Sequence, residues 1–448
     1  MTLSTIPATR RDIPAHVGAG NLIYRAAQVP RFVGADGCYL TDADGRRYLD
    51  AEAANGTVAW GYDAQILRDA LRACEQLPAL PSFCESELRV SVLERLERLF
   101  GGALGASGRV ELDLGGAQGM ETALRIAFSA VGPGTVLVFE GAFHGRSGVT
   151  SMLSSSPRYR ELLAAWGLEV VRLPSPDCGR CVHHDGAAAG CASGCVRAVT
   201  RWGSELTGVG GAGYGRRVSA LVFESIQNVG GMVEPDPRLL RAAVEHARAN
   251  GAVVIADEIF TGMHRTGPRW GFQRAGVEPD IVVTSKALTN GAAALSAVWA
   301  REPLADPQTY RPGSHSSTYI GIPHALAVVQ AVLDRWDGWA DPTADMTRLE
   351  ERMLDRLNAV RERHPETVRG AAAFGAAARV ELAGVTAPEV RQLCLTVHPK
   401  AALIVAATGM APDVLNIHPP LVISDDDLDV MVEVLDAALT RWERDRGD

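Results

Sequence analysis

Lysine is almost absent from this sequence. Among its 448 residues are 44 lysines and arginines, and only two of these, Lys286 and Lys400, are lysines. Arginine has no accessible neutral form, whereas lysine can lose its proton and act as a nucleophilic amine that forms a Schiff base. A lysine kept in such a chain therefore indicates a position that arginine cannot fill. No motif surrounds Lys400, so Lys286 is the candidate for chemistry.

Long apolar runs and an excess of positive charge are also missing. No stretch approaches the ~20 apolar residues that a membrane-spanning helix needs, and residues 1–18 lack the apolar segment of a secretory signal. The net charge of −9 disfavours non-specific binding to nucleic acid or to anionic lipid. We therefore expect a cytoplasmic protein that binds neither nucleic acid nor membranes.

The middle of the chain alternates short apolar runs with helical patterns. The runs are continuous, which is typical of strands buried on both faces of a parallel sheet. They are Val136–Phe139, Val170–Leu173, Ala220–Glu224, Val253–Asp257, Ile281–Ser285 and Leu295–Ala300. This alternation predicts an α/β fold with a mostly parallel central sheet, in which ligands bind at the carboxyl ends of the strands.

The two ends of the chain have a different pattern, and the length favours two domains. Residues 32–50 are typical of a small hairpin, and the last helix is predicted to begin at Ser424, with three aspartates in its first turn. We expect the two ends to form a smaller α+β domain together. The predicted bounds are 1–60 and 331–448 for the small domain and 61–330 for the large domain.

Asp257 and Lys286 form the strongest candidate pair. One predicted strand ends at Asp257, and a second ends directly before Lys286, 29 residues later. Neighbouring parallel strands would hold both side chains over one crevice. Asp257 alone would more often cap the next segment. Together the two match the needs of pyridoxal 5′-phosphate (PLP), which a lysine binds covalently while a carboxylate keeps the pyridine nitrogen protonated.

Two motifs surround this pair, DEI-x-TG-x-x-RTG from Asp257 onward and TSKAL around Lys286. With them the sequence resembles the class III, fold-type I, PLP-dependent aminotransferases, the family of ornithine and 4-aminobutyrate aminotransferases, over roughly residues 20–440. The resemblance implies that Lys286 binds PLP and shuttles the proton, and that Asp257 contacts the pyridine nitrogen. It also implies that Ile259 packs on one face of the cofactor ring.

A glycine-rich turn opens the helix predicted after Leu114. Free backbone amides at a helix start bind anions, and in the family the matching turn holds the cofactor phosphate, so Gly116 and Ala117 are the candidates here. The usual Ser-Gly-Ser/Ala-Glu-Ala-Asn pattern is not kept. The departures are Gly115, Gln118, Gly119 and Met120. Backbone amides do not depend on these side chains, so we expect the phosphate site to persist.

The resemblance implies further cofactor contacts. Phe143 and His144 belong to an aromatic-His-Gly-Arg motif whose ring stacks on PLP, and Glu224 lies in a segment that also borders the cofactor. Ser317 and Thr318 match the segment that reaches the phosphate of the other subunit's cofactor. These residues therefore imply a homodimer with shared active sites.

Two departures from the family concern the substrate. Val229 replaces a frequent glutamate, and Asn416 replaces the arginine that pairs with it and grips the substrate carboxylate. The paired loss is coherent, because a buried glutamate without its arginine would cost roughly 3–5 kcal/mol. We expect an amine without that carboxylate, such as an amino sugar of the kind handled in aminoglycoside antibiotic pathways, and a carbonyl acceptor. Trp60 is expected to line the same pocket.

One segment has four closely spaced cysteines, Cys178, Cys181, Cys191 and Cys195. Thiolates at such spacing suit a structural zinc ion or, less favourably, an iron–sulfur cluster. Four free, partly buried thiols are the other interpretation. The segment lies apart from the PLP motifs, so we assign it no catalytic role.

The sequence leaves alternatives to an aminotransferase. The same PLP site could serve an epimerase or an elimination enzyme, since all three reactions begin with the same deprotonation. A PLP-free structural or metal-binding protein on a degenerate fold is a third hypothesis. The presence of both Lys286 and Asp257 argues against that third hypothesis.

Overall fold

The computed structural model describes residues 30–77, 79–81, 83–161, 167–177, 217–398 and 401–447. In this part of the chain the strands form three sheets. The central, seven-stranded sheet has the order β4 (Gly108–Asp113), β10 (Ser296–Arg301), β9 (Ile281–Thr284), β8 (Val253–Asp257), β7 (Val218–Glu224), β5 (Thr135–Phe139), β6 (Val170–Leu173). One four-stranded sheet has the order β1 (Phe32–Asp36), β2 (Tyr39–Asp42), β3 (Arg47–Asp50), β13 (Ala402–Ile404). The other has the order β11 (Val368–Phe374), β12 (Ala377–Leu382), β15 (Val414–Ile417), β14 (Ala406–Ala407).

The helices of the described residues connect and cover these sheets. They are α1 (Ala53–Gly56), α2 (Ala64–Ala73), α3 (Glu87–Leu104), α4 (Gly116–Val131), α5 (Gly148–Leu153), α6 (Pro157–Arg160), α7 (Pro237–Ala249), α8 (Phe272–Ala275), α9 (Pro323–Asp337), α10 (Pro342–Arg363), α11 (Ala387–Cys394) and α12 (Asp425–Gly447). None of them combines the length and the apolar character that crossing a membrane requires.

The central sheet is buried on both faces. Strands β5, β7, β8 and β9 consist of buried residues throughout. Val222 and Ile255 face the side covered by α4, whereas Leu221 and Phe223 face the opposite side, where Phe100 of α3 packs. This two-sided burial explains the continuous apolar runs of the sequence, and it confirms the predicted α/β fold.

Strand β10 is the exception to the parallel sheet. It runs antiparallel to both β9 and β4, whereas the apolar run Leu295–Ala300 was predicted to belong to the parallel set. The reason is the short connection of residues 285–295, because a parallel return needs a crossover of roughly a dozen residues or more. The carboxyl ends of β7, β8 and β9 still lie at one edge of the sheet.

The two ends of the described chain meet in one sheet. Strand β13 pairs in parallel with β3, and Ile404 lies opposite Asp50. Helix α12 packs against the same two strands. This is the pairing that a small domain built from both ends would need, and the bounds 1–60, 61–330 and 331–448 stay a prediction.

Candidate active site

Lys286 follows β9, after Ser285, and begins a short 3₁₀ turn. Its φ of 45° lies in the left-handed region, where a residue other than glycine costs on the order of 1–3 kcal/mol and often marks a functional site. Its amino group lies 5.0 Å from the centre of the Phe260 ring. Burial lowers the pKa of Lys286, and the charges of Asp257 and Glu224 oppose this shift. The residue can therefore supply a neutral amine more readily than an exposed lysine can.

Asp257 ends β8 and is held at both carboxylate oxygens. One oxygen lies 2.8 Å from Nδ1 of His144, and the other accepts a hydrogen bond of 3.1 Å from the backbone N–H of Ile259. Asp257 and His144 are 4% and 1% exposed, so the pair is enclosed by protein. A carboxylate fixed in this way keeps a negative charge at a defined position.

Glu224 ends β7 directly opposite Asp257 in the strand register. Its carboxylate accepts a hydrogen bond of 2.8 Å from the backbone N–H of Phe143. Burial raises the pKa of Glu224, His144 lowers it and Asp257 raises it. The two predicted cofactor motifs, one after β5 and one at the end of β7, are thus in direct contact.

The start of α4 is packed tightly against this group. Its N-cap residue, Gly115, makes no side-chain capping bond, so no side chain caps the first amides of the helix. A Cβ atom on Gly116 would lie 2.8 Å from Cδ1 of Ile259, and one on Gly145 would lie 2.8 Å from Cβ of Ala117. Because glycine has no side chain at these positions, three segments can approach closely. They are the first turn of α4, the segment after Asp257 and the motif around His144.

These residues fit PLP as a cofactor. An enclosed lysine, a fixed carboxylate and a helix start with uncapped amides are the groups that its aldehyde, its pyridine nitrogen and its phosphate need. Nε2 of His144 is buried and has no hydrogen-bond partner among the described residues. The individual contacts predicted for Gly116, Ala117, Phe143, His144, Glu224, Asp257, Ile259 and Lys286 stay predictions.

Asn416 and the segment containing Val229 are brought together, as the family's arginine and glutamate would be. Asn416 is wholly buried, and its side-chain amide donates to the backbone carbonyl of Asn228 at 2.7 Å and to the side-chain oxygen of Asn228 at 3.2 Å. The carbonyl of Val229 accepts a bond of 2.7 Å from the Thr408 hydroxyl. Neutral hydrogen bonds, without an ion pair between described residues, therefore join the segments of Asn416, Asn228 and Thr408.

Trp60 belongs to an aromatic cluster. Its ring centre lies 4.8 Å from that of Trp336 and 5.1 Å from that of Trp339. Its backbone N–H donates to the side chain of Asn290, four residues after Lys286, at 2.8 Å. The pocket-lining role expected of Trp60 stays a prediction, and the contacts of its ring within the described chain point to packing.

Ser317 is partly buried and Thr318 is exposed, and within the described part of one chain no hydrogen bond connects them to Lys286 or Asp257. Their role across a dimer interface stays a prediction. The four cysteines lie outside the described residues, as does Lys400. The described residues alone contain no group of three or more side chains suited to a metal.

Glu52 was not found by the sequence reasoning, although it lies in the electrostatic field of Lys286. Burial raises the pKa of Glu52 against the opposing effects of the Asn55 N–H and the Lys286 charge, and the resulting pKa is about 7. Ala53, Ala54 and Asn55 all have positive φ values. Three left-handed residues that are not glycine are rare enough to mark a constrained segment, but the letters EAAN give no sign of this backbone.

His418 lies on the same side of the active site as Glu52. It is 1% exposed, its backbone N–H donates to the carbonyl of Ala51 at 2.8 Å, and the centre of its ring lies 5.4 Å from that of the Phe260 ring. Burial, together with the charges of Arg265 and Lys286, lowers the pKa of His418 to about 3. His418 is therefore neutral at physiological pH.

Comparisons with known proteins agree with this geometry. The sequence matches the family described as Aminotransferase class-III over residues 25–439. It is 30% identical over 462 residues to the 4-aminobutyrate aminotransferase of Mycobacterium tuberculosis (strain H37Rv), covering 98% of this chain and 99% of that protein. It is also 30% identical over 426 residues to the acetylornithine aminotransferase of Streptomyces clavuligerus, covering 93% and 92%.

Solved structures share the fold. A Bacillus anthracis aminotransferase superposes with a TM-score of 0.81 at 22% identity, covering 95% of this chain and 96% of that one. The form of a Vibrio fluvialis aminotransferase with bound PMP superposes with a TM-score of 0.79 at 22% identity, covering 92% of each chain. By its match across most of its length, this chain belongs to the class III aminotransferase family and is an enzyme of that class.

Proposed function

We propose that this aminotransferase uses PLP bound to Lys286 to move an amino group between an amine without the usual carboxylate and a carbonyl acceptor. The proposal about the substrate rests on the surroundings of Asn416. This residue is wholly buried and bonded to Asn228, and it stands where the family resemblance calls for an arginine. An amide cannot replace the two parallel hydrogen bonds that a guanidinium offers a carboxylate.

PLP supplies an electron sink that makes a proton on the substrate carbon acidic. The protein's part is to hold charges and move that proton. Lys286, enclosed and with a lowered pKa, would hold PLP through its amino group and would be the base that moves this proton. Asp257, fixed by His144 and by the Ile259 N–H, is the anion for the pyridine nitrogen.

The groups around Asn416 favour a substrate whose corresponding part is polar and uncharged. Val229 adds no charge, and Thr408 is already bonded to its carbonyl. An amino sugar or another polar amine meets this chemistry, because hydroxyl groups can bond an amide network without a counter-ion. The 4-aminobutyrate and acetylornithine aminotransferases act on carboxylate-bearing amino acids, so they support the reaction class and not this substrate.

Epimerisation or elimination on the same scaffold is the competing chemistry. Both begin with the same proton removal as transamination. Formation of a keto product together with pyridoxamine phosphate in equal amounts separates transamination from the other two.

The first experiment maps the cofactor. PLP is added, the enzyme is reduced with borohydride, and the modified peptide is identified by mass spectrometry, with Lys286→Ala as control. We expect an adduct on Lys286. Labelling of Lys400 alone, or no labelling, would overturn the proposal.

The second experiment tests the substrate. The rate at which amines convert the PLP form to the pyridoxamine form is compared for 4-aminobutyrate, ornithine and a panel of carboxylate-free amines that includes amino sugars. We expect the highest kcat/KM within the carboxylate-free panel. A higher value for 4-aminobutyrate or ornithine than for every member of the panel would contradict the substrate assignment.

A further inference from the structure

Asn290 has a left-handed backbone in the turn that follows the reacting lysine. Its φ is 48°, and the φ of Lys286, which begins the turn, is 45°. Glycine adopts such values without strain, and asparagine is one of the few other residues that are enriched there. Glycine would therefore serve the backbone at position 290 equally well. The reason for an asparagine at this position lies in its side chain.

The side-chain amide of Asn290 binds two consecutive backbone groups of another segment. Its Oδ1 accepts a hydrogen bond of 2.8 Å from the N–H of Trp60, and its Nδ2 donates one of 3.0 Å to the carbonyl of Gly61. The partners determine how the amide is turned, because an N–H can only donate and a carbonyl can only accept. Asn290 is 8% exposed, and hydrogen bonds enclosed in this way are stronger than bonds in water.

The segment that Asn290 binds is itself anchored on both sides. The N–H of Tyr62 donates to the carbonyl of Gly37, in the turn between β1 and β2, at 2.7 Å. The N–H of Leu421 donates to the carbonyl of Ala59 at 2.8 Å. The segment is thus a fixed support for the Asn290 side chain.

The turn of Lys286 is also bonded within itself. The N–H of Thr289 donates to the carbonyl of Lys286 at 3.0 Å, and the hydroxyl of Thr289 donates to the carbonyl of Ala293 at 2.8 Å. These bonds define the shape of the turn. The Asn290 amide connects that turn to a segment that lies 230 residues earlier in the chain. Since lysine has a long, flexible stem, the position of its backbone limits where its amino group can reach.

We propose that Asn290 is a positioning residue, which holds the turn of Lys286 against residues 60–61 and so keeps the Lys286 amino group in the geometry for proton transfer. This inference rests on the proposed function, in which Lys286 binds PLP and moves the proton. A base must stay within hydrogen-bond reach of the proton that it removes. A displacement of about 1 Å can cost on the order of a hundredfold in rate, and two hydrogen bonds to a fixed segment restrict such displacements.

The test compares the PLP-loaded wild type with Asn290→Gly. Glycine tolerates the φ of 48° at this position, so the substitution removes the two hydrogen bonds without imposing a new backbone. Asn250→Gly is the matched control. Asn250 lies at the end of α7, and its side chain also donates to a backbone carbonyl, that of His246, at 2.8 Å.

Single turnovers measure the proton transfer. Isopropylamine and 4-aminobutyrate are compared by absorbance, and the faster of the two is then used with hydrogen or deuterium on the carbon that bears the amino group. We expect the rate constant to fall on the order of tenfold in Asn290→Gly with an unchanged amplitude, and the isotope effect to be at least as large as in the wild type. Asn250→Gly should match the wild type.

The amplitude separates positioning from a loss of folded protein. A wild-type rate constant with a reduced amplitude would mean that Asn290→Gly only lowers the amount of folded enzyme, and it would overturn the proposal. A smaller isotope effect than in the wild type would also overturn it, because a step other than proton transfer would then have been slowed.

Hydrogen exchange of the PLP-loaded proteins gives a readout that does not depend on activity. Amides in a peptide covering residues 286–292 should exchange on the order of tenfold faster in Asn290→Gly, whereas a peptide covering residues 253–257 should exchange as in the wild type. Equal exchange of residues 286–292 in both proteins would overturn the role of Asn290. Absence of a borohydride adduct on Lys286 of the wild type would instead overturn the proposed function, so the two failures are distinguishable.

Discussion

Asp257 and Glu224 lie directly opposite each other at the ends of adjacent parallel strands, and His144 lies 2.8 Å from Asp257. Two buried carboxylates at such positions repel each other. Asp257 raises the pKa of Glu224, whereas His144 lowers it. The imidazole thus holds one carboxylate in place and offsets part of the repulsion from its neighbour.

Replacing His144 by alanine should therefore slow catalysis without unfolding the chain. A hydrogen bond to a charged group contributes about 1.5–3 kcal/mol, so we expect the amine half-reaction to slow on the order of tenfold to a hundredfold. The rate is measured by absorbance in single turnovers of the PLP-loaded protein. His246→Ala, on α7 away from the site, is the control and should keep the wild-type rate. A wild-type rate in His144→Ala would contradict the role given to this contact.

Gly116→Ala should weaken the binding of PLP. The new Cβ would lie 2.8 Å from Cδ1 of Ile259, so the Ile259 side chain, which is expected to pack on the cofactor ring, must move. We expect the dissociation constant of PLP, measured by titrating the apo-protein, to rise on the order of tenfold. Gly102→Ala is the matched control, since nothing lies within 4 Å of its Cβ position. Equal affinities in the two variants would show that the close contact has no bearing on the cofactor.

His418 makes stability depend on pH. Its pKa is about 3 in the fold against 6.5 as the ordinary value, so the unfolded chain takes up a proton first. The stabilisation is complete above pH 6.5 and is lost as the pH falls toward 3. At about pH 5.5 the loss from this residue is on the order of 1 kcal/mol.

Urea unfolding of the wild type and His418→Gln at pH 7.5 and pH 5.5 measures this effect. The free energy of unfolding of the wild type should fall by on the order of 1 kcal/mol more than that of the variant between the two pH values. Comparing differences within each protein removes any constant destabilisation that the substitution causes. If both proteins lost the same free energy of unfolding between the two pH values, the pKa of His418 would not be lowered in the fold.

The four-cysteine segment leads to a prediction on metal content. If Cys178, Cys181, Cys191 and Cys195 hold zinc, the purified protein should carry about one zinc ion per chain. Cys181→Ser together with Cys191→Ser should remove the ion while PLP binding persists. Metal analysis by mass spectrometry checks both statements. Metal-free wild-type protein with four thiols that react with a thiol reagent would favour free cysteines.

Sequence patterns could predict those parts of this fold that are determined by residues close together in the sequence. The apolar runs predicted the buried strands, because two-sided burial leaves no polar alternation to detect. Asp257 ends one such strand and Lys286 directly follows another, so the sequence alone was enough to predict that the two side chains lie close together. Even the departure of β10 from the parallel arrangement is explained by the length of the connection before it.

Contacts between distant segments could not be read in the same way. The contact of His144 with Asp257 joins positions 113 residues apart, and its existence depends on which strands become neighbours. Glu52 was overlooked because it is marked by its burial and by the left-handed backbone of the three residues after it, and neither has a pattern in the letters. Trp60 was expected in the pocket by resemblance, whereas the packing of its ring against Trp336 and Trp339 depends on how α9 lies.

The parallel pairing of β3 with β13 also bears on the order in which the enzyme folds. Residues near 50 must wait for residues near 402 before they can form their sheet. Contacts of such long range close slowly, and during synthesis the first partner leaves the ribosome long before the second. The central sheet can assemble earlier from segments closer together in the chain. Lys286 and Asp257 would then be in position while the side of the site formed by Glu52 and His418 is still open, so the enclosure of the site would be completed last.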